Sequence, residues 1–128
     1  MRLLIDAGNS RIKWAWCERS RPGEVSALDV SALDAAALAR AWQVATTVHY
    51  TCVAGDVVDA VIRRALPPDC VAQRVFAGPT ACGIVNLYDQ PAQLGADRWA
   101  ALIGARALQP GPLVVATAGT ATTIDALD

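Results

Sequence analysis

Near the start of the chain, a carboxylate, a glycine and two small polar side chains fall in one run, Asp6-Ala7-Gly8-Asn9-Ser10. Gly8 carries no side chain, so backbone there can approach a ligand closely and take a positive φ if one is needed. The amides and side chains of Asn9 and Ser10 can donate to phosphate oxygens. Asp6 can hold Mg2+ through water, because that ion keeps much of its hydration shell, and Lys13 follows on the polar face to balance charge. The plainer reading of the same residues is a hairpin with an Asx turn. A second run, Gly119-Thr120-Ala121-Thr122-Thr123, again offers a glycine and hydroxyls, with Asp125 two residues beyond. Its plainer reading is a threonine-rich strand. Two such turns facing each other across a cleft would clamp the phosphates of a nucleotide from both sides.

A third group, Gly95-Ala96-Asp97-Arg98, pairs an acid with a guanidinium. Asp97 can accept the proton of a hydroxyl as it attacks a γ-phosphate, and Arg98 can bind an anionic group on the same substrate. Phosphoryl transfer asks for little beyond such positioning and charge neutralisation. An acid in the first turn of a helix also simply favours the helix dipole, so both readings stand. Tyr88, seven residues before Gly95, can line a substrate pocket or cover the edge of a core. His49 is the only histidine and makes no triad or metal cluster. It reads as structural, as do Trp14, Trp16, Trp42 and Trp99 on expected core faces.

The elements that must hold these groups are legible from periodicity. Leu3–Ile5 is a short apolar run ending at the first turn, and Ile12, Trp14 and Trp16 then alternate with Arg11 and Lys13 as a strand does. Arg21-Pro22-Gly23 is expected to turn the chain into a third strand near Glu24–Leu28. Ser31 and Asp34 read as a capping signal for a helix through about Trp42, and Thr46–Val53 reads as a strand. Asp56 is expected to cap a second helix, with Val57, Val58, Val61, Ile62, Ala65 and Leu66 at helical spacing, stopped by Pro67-Pro68. Val71–Phe76 is a further strand and Gly78–Leu94 a long loop. A third helix is expected over about Ala96–Leu108, and a new strand starts at Leu113. Antiparallel strands followed by helix–strand alternation predict an α/β fold with a mixed sheet.

An internal echo bears on architecture. Leu4 through Ser10 matches Val115 through Ala121, 111 residues later, each an apolar strand entering an Ala-Gly turn. The repetition predicts two related lobes: residues 1–112 as the first, and 113–128 as the opening hairpin of a second that the sequence leaves unfinished.

Composition narrows the partners. Of 128 residues 54% are hydrophobic, which calls for a packed core, and the formal net charge of −1 gives no electrostatic pull towards nucleic acid. No apolar run is long enough to span a bilayer. Cys17, Cys52, Cys70 and Cys82 form no CxxC pair, so they read as reduced core thiols in a protein of the cytoplasm.

Together the runs Asp6–Lys13, Gly83–Tyr88, Pro91–Trp99 and Gly119–Asp125 resemble type III pantothenate kinase, including the relatives named Bvg accessory factors. Leu94-Gly-Ala-Asp-Arg-Trp99 is the most specific of them; the Asp-x-Gly-Asn turn is shared across the acetate and sugar kinase, Hsc70 and actin superfamily. The resemblance covers the whole chain but about the first half of a family member. It implies the N-terminal half of a two-lobe kinase, with an actin-like (ribonuclease H-like) ATPase lobe whose mixed sheet is flanked by helices. It implies ATP-dependent phosphorylation of pantothenate, the first step towards coenzyme A, with a fragment of this length inactive alone. Asp6, Ala7, Gly8, Asn9, Ser10, Arg11, Ile12, Lys13 and Thr120 would bind ATP. Tyr88, Gly95, Ala96, Asp97 and Arg98 would bind pantothenate, with Arg98 on its carboxylate and Asp97 as the catalytic proton acceptor. It also implies a homodimer and dependence on a monovalent cation, K+ or NH4+. Many members carry Asp as the potassium ligand where this chain has Thr117, whose oxygens can coordinate an ion without a fixed charge. Action on another hydroxylated small molecule, or a nucleotide-binding regulator without catalysis, are the alternatives.

Overall fold

A computed structural model describes all residues, Met1–Asp128. Two compact units appear, Met1–Val75 and Phe76–Asp128.

The first unit is built on strands β1 (Arg2–Ala7), β2 (Arg11–Glu18), β3 (Arg21–Asp29), β4 (Thr47–Cys52) and β5 (Val71–Arg74), with helices α1 (Ala35–Trp42) and α2 (Asp56–Ala65). They form one mixed sheet in the order β3-β2-β1-β4-β5, antiparallel from β1 to β3 and parallel from β1 through β4 to β5. Strand alternation sorts the side chains. Leu3, Ile5 and Ala7, with Ile12 on β2 and Val48, Tyr50 and Cys52 on β4, pack against Leu38 and Trp42 of α1 and Val58, Ile62 and Ala65 of α2. Both helices therefore cover one face of the sheet. Trp14 and Trp16 join that side as expected, and Trp14 meets Trp42 edge to face with ring centroids 5.8 Å apart. Period 2 sends Asp6, Lys13 and Thr51, which pair laterally in register, to the opposite face.

Several boundaries depart from expectation for local reasons. The β2–β3 turn falls at Arg19-Ser20, both at positive φ, the backbone of a two-residue hairpin loop. Arg21, Pro22 and Gly23 lie inside β3, an edge strand where proline is tolerated. The α1 cap is Asp34, whose side chain accepts from the Ala36 N–H at 2.9 Å; Ser31 lies in an isolated 3-10 turn, Val30–Ala32. Gly55 at φ 90 precedes α2, and Asp56 is its first residue rather than its cap. β5 ends at Arg74, not Phe76.

A polar knot ties α2 to the sheet. Asp59 accepts from the Tyr50 hydroxyl at 2.9 Å and from Arg63 at 2.8 Å, while Arg74 stands 3.2 Å away. Burial works against charge on Asp59, but the bonds from Tyr50 and Arg63 and the charge of Arg74 outweigh it and hold its carboxyl below the ordinary range. A folded pKa below the unfolded one adds stability that is present above pH ~4 and lost as pH falls through the folded value. Asp59→Asn should therefore cost about 1–3 kcal/mol at pH 7 and flatten the loss of stability below pH ~4. Denaturant melts at pH 7 and pH 3 check this; equal acid sensitivity in both proteins would contradict it.

The second unit contains β6 (Thr80–Ala81), β7 (Ile84–Val85), α3 (Ala96–Leu108), β8 (Leu113–Ala118) and β9 (Thr122–Leu127). The stretch Gly78–Leu94, expected as loop, holds the small β6–β7 hairpin and a 3-10 turn at Pro91–Gln93. Cys82 and Gly83, both at positive φ, make its two-residue turn. Cys82 is consequently exposed, against the expectation of a core thiol, and Cys17 and Cys70 are only half-buried; Cys52 is buried. Ile84, Leu94, Trp99 and Leu102 form the core here, with Val115 and Leu127 packed on it. The face of the β8–β9 hairpin that carries Val115, Thr123, Asp125 and Leu127 thus turns towards α3. No helix is long and apolar enough to cross a membrane.

Candidate functional site

At the end of β1 the chain leaves the sheet through Gly8, whose N–H donates to the Arg11 carbonyl at 2.9 Å. Gly8 does not use the left-handed region. A Cβ there would stand 3.4 Å from the Arg11 oxygen, at the edge of ordinary van der Waals contact, so what glycine supplies is an uncovered backbone at the turn. Asn9 and Ser10 are exposed at the tip, and the Ser10 carbonyl accepts from the Val30 N–H, which ties the turn to the end of β3. Ala7 and Ile12 are fully buried on the helix side, and the Ala7 carbonyl accepts from the Val53 N–H, so these two residues shape the turn from behind. Arg11 is paired with Asp29 at 3.1 Å on the surface.

Asp6 is the charged centre of this turn. Its Oδ1 accepts a 2.9 Å hydrogen bond from the Thr51 hydroxyl, and Oδ2 lies 4.0 Å from Lys13 Nζ with both side chains about half exposed, 48% and 50%. An ion pair that long and wet is worth about 0–1 kcal/mol, so Lys13 can swing to a phosphate at little cost. Thr51 differs: at 6% exposure it is fixed and orients the carboxylate. No group of three or more His, Cys, Asp or Glu side chains could hold a metal ion. A single half-exposed carboxylate with free lone pairs suits a hydrated ion carried in on phosphates rather than an all-protein cage.

In the second unit the first turn of α3 presents Asp97 and Arg98, about 100° apart around the axis. Gly95 precedes the helix in the N-cap position. A Cβ at Gly95 would come 2.6 Å from Asp97 Oδ1, so the carboxylate rests in the space that glycine leaves. Arg98 is bound through Nε at 2.9 Å, and also through an NH2 nitrogen, to the Asp125 carboxylate. The hydrogen bond from Arg98 to Asp125 leads in holding that guanidinium above its ordinary range, against a partial loss of water; the nearby Tyr88 phenol adds to the rise. Tyr88 itself is held by its loop: its N–H donates to Asn86 Oδ1 at 3.1 Å, and the Asn86 amide donates to the Gly78 and Pro91 carbonyls.

The Gly119–Ala121 turn joins Ala118 to Thr122, one residue tighter than the Gly8–Arg11 turn that joins Ala7 to Ile12. Gly119 N–H donates to Ala121 O at 3.1 Å, so the echo in sequence is an echo in local shape. Thr120 is exposed at its tip and Thr117 is exposed opposite Thr123. The Thr123 hydroxyl is buried without a hydrogen-bond partner.

Of the residues singled out from sequence, Asp6, Gly8, Asn9, Ser10 and Lys13 converge on one turn, while Tyr88, Gly95, Ala96, Asp97 and Arg98 gather at the head of α3. Sequence reasoning gave no role to Thr51, Asn86 or Asp125. Thr51 lies 45 residues from Asp6 and carried no local signal. Asn86 and Asp125 stand inside the motif runs, where a buried amide and a carboxylate at strand spacing from Thr123 were the available hints.

A mixed α/β protein with one glycine turn suited to phosphate and one helix head suited to a hydroxylated anion is the class that these features define. The chain belongs to the type III pantothenate kinase family, whose family model matches residues 2–128. It is 46% identical to the type III pantothenate kinase of Janthinobacterium sp. (strain Marseille) over 99% of this chain and 54% of that protein. The enzyme of that name from Aromatoleum aromaticum is 46% identical over 99% and 53%, and that from Halorhodospira halophila 40% over 100% and 55%. The chain spans about half the length of the curated relatives it matches.

Proposed function

We propose that this chain supplies the nucleotide-phosphate turn and the acceptor end of an ATP-dependent pantothenate kinase, the enzyme class that opens coenzyme A synthesis. The observation that carries the reading is the Asp97 carboxylate seated over Gly95 beside Arg98, in a chain that matches this kinase family throughout. The acceptor hydroxyl oxygen attacks the γ-phosphorus and its proton passes to Asp97. The new O–P bond forms as the bond to the β–γ bridging oxygen breaks, and ADP leaves. Arg98 takes the pantothenate carboxylate, and Tyr88 with the Gly95–Ala96 backbone borders the substrate. The Asp6–Lys13 turn and Thr120 take the ATP phosphates. When bound, Mg2+ neutralises charge on the β- and γ-phosphates, and Asp6 would meet its water shell. Thr117 and the unpartnered Thr123 hydroxyl are neutral oxygens that fit a K+ or NH4+ ion, without the fixed charge that a carboxylate brings. An actin-like architecture with lobes divided near residue 112, a homodimer and a cytoplasmic setting complete the proposal.

Pantothenate-dependent ADP release by the full gene product, set against a panel of sugars, tests it. Turnover with a sugar but not with pantothenate would move the assignment to another acceptor, and tight ATP binding without any turnover would favour a regulator. Asp6 orientation gives a separate expectation. Thr51→Val removes the hydroxyl and should weaken calorimetric binding of ATP with Mg2+ about 3- to 10-fold, the range of one net hydrogen bond, whereas Thr51→Ser should retain it. Equal affinity in all three proteins would remove Thr51 from the site.

A further inference from the structure

Arg98 meets Asp125 through Nε and one NH2 nitrogen, the side-on edge of the guanidinium. A guanidinium has five N–H donors in a rigid fork. Side-on pairing consumes two of them and leaves the end-on edge, formed by NH1 and the second hydrogen of NH2, outside the Asp125 contact, with the Tyr88 phenol the other polar group close to the guanidinium. Asp125 is 10% exposed and Arg98 25%, so neither side chain samples many rotamers. The pair also joins the first turn of α3 to the middle of β9, and Val115 and Leu127 of the same hairpin pack on the core that contains Trp99. The contact is therefore braced on both sides of its length.

We propose that Asp125 is a positioning residue that fixes Arg98 side-on, so that its end-on edge is presented to the carboxylate of the acceptor substrate. This rests on the pantothenate kinase reading above. Asp125 touches no substrate in it; it acts through Arg98 and sets the preference for an acceptor that bears a carboxylate. Without Asp125 the guanidinium gains rotamers, and its bidentate alignment to a second carboxylate is no longer prepaid.

The test uses Asp125→Asn, Arg98→Gln and the double variant in the full gene product, each first checked for folding by circular dichroism and a thermal melt. Steady-state constants are measured with pantothenate and with its neutral primary amide. Asp125→Asn is expected to raise KM for pantothenate about 10- to 100-fold, as the loss of an aligned charge-assisted contact does, with kcat changed far less. KM for the amide should barely move. In the Arg98→Gln background the second substitution should add nothing, because both act on one contact. Asp125→Glu, which keeps the charge, covers the case in which the asparagine variant does not fold, and should recover part of the pantothenate KM. Equal KM changes for acid and amide, or additive effects in the double variant, would overturn the proposal. Absence of pantothenate turnover in the unsubstituted protein would instead overturn the kinase reading, so the two failures are told apart.

Discussion

Asp97→Asn is expected to lower kcat for pantothenate phosphorylation by about 10²- to 10⁴-fold, the span that a positioned general base contributes, while leaving calorimetric affinity for pantothenate and ATP nearly unchanged. The asymmetry follows from where the group acts. Asparagine keeps the shape and polarity of the side chain, so the head of α3 (Ala96–Leu108) and the contacts of Arg98 with Asp125 persist. What disappears is the capacity to take the hydroxyl proton as the new O–P bond forms. A loss confined to kcat is the signature of an interaction made in the transition state. A comparable loss of pantothenate binding would show Asp97 acting as an anchor, and unchanged turnover would remove it as the base.

The second large effect is expected two residues earlier, from the addition of a single methyl group. Gly95→Ala places a Cβ 2.6 Å from the present position of Asp97 Oδ1, closer than van der Waals contact allows. The backbone at Gly95 is in the extended region, φ −57 and ψ 135, so alanine brings no conformational strain of its own. The Trp99 N–H to Gly95 carbonyl bond and the burial of Trp99 hold the helix start in place. The carboxylate must yield instead. A displacement of about 1 Å in a catalytic group can cost on the order of 10²-fold, so kcat is expected to fall by about that factor with the melting temperature almost unchanged. Wild-type turnover in Gly95→Ala would mean that the carboxylate works from another rotamer.

The features read correctly from sequence share a physical cause. Strand β1, its glycine turn and β2 were legible because short-range signals and the alternation of Ile12, Trp14 and Trp16 agree. The helices at 35–42, 56–65 and 96–108 were legible from apolar spacing. The errors arise where two local signals compete or where the partner is remote. Pro22-Gly23 is a stronger turn signal than Arg19-Ser20, yet pairing of Glu18 with Arg21 and of Cys17 with Pro22 fixes the turn two residues earlier. Asp34 outcompeted Ser31 as the cap because its side chain reaches the Ala36 N–H. Cys82-Gly83 hid a hairpin inside an apparent loop, since a cysteine at positive φ is no routine turn residue.

The candidate site divides in the same way. Asp6, Gly8, Asp97 and Arg98 announced themselves by type and spacing. The groups that orient them did not: Thr51 reaches Asp6 across the sheet, and Asp125 reaches Arg98 over 27 positions. Both contacts exist only after β4 pairs with β1 and the β8–β9 hairpin packs on α3.

Phosphorus NMR with mass spectrometry on the full gene product, incubated with ATP, Mg2+ and pantothenate, would identify the product itself. The expected result is a phosphomonoester on the primary hydroxyl of pantothenate, formed one for one with ADP and reduced to near background by Asp97→Asn. Phosphate released only as the free ion, or a phosphorylated product formed equally well without Asp97, would contradict the assignment of that carboxylate to the acceptor hydroxyl.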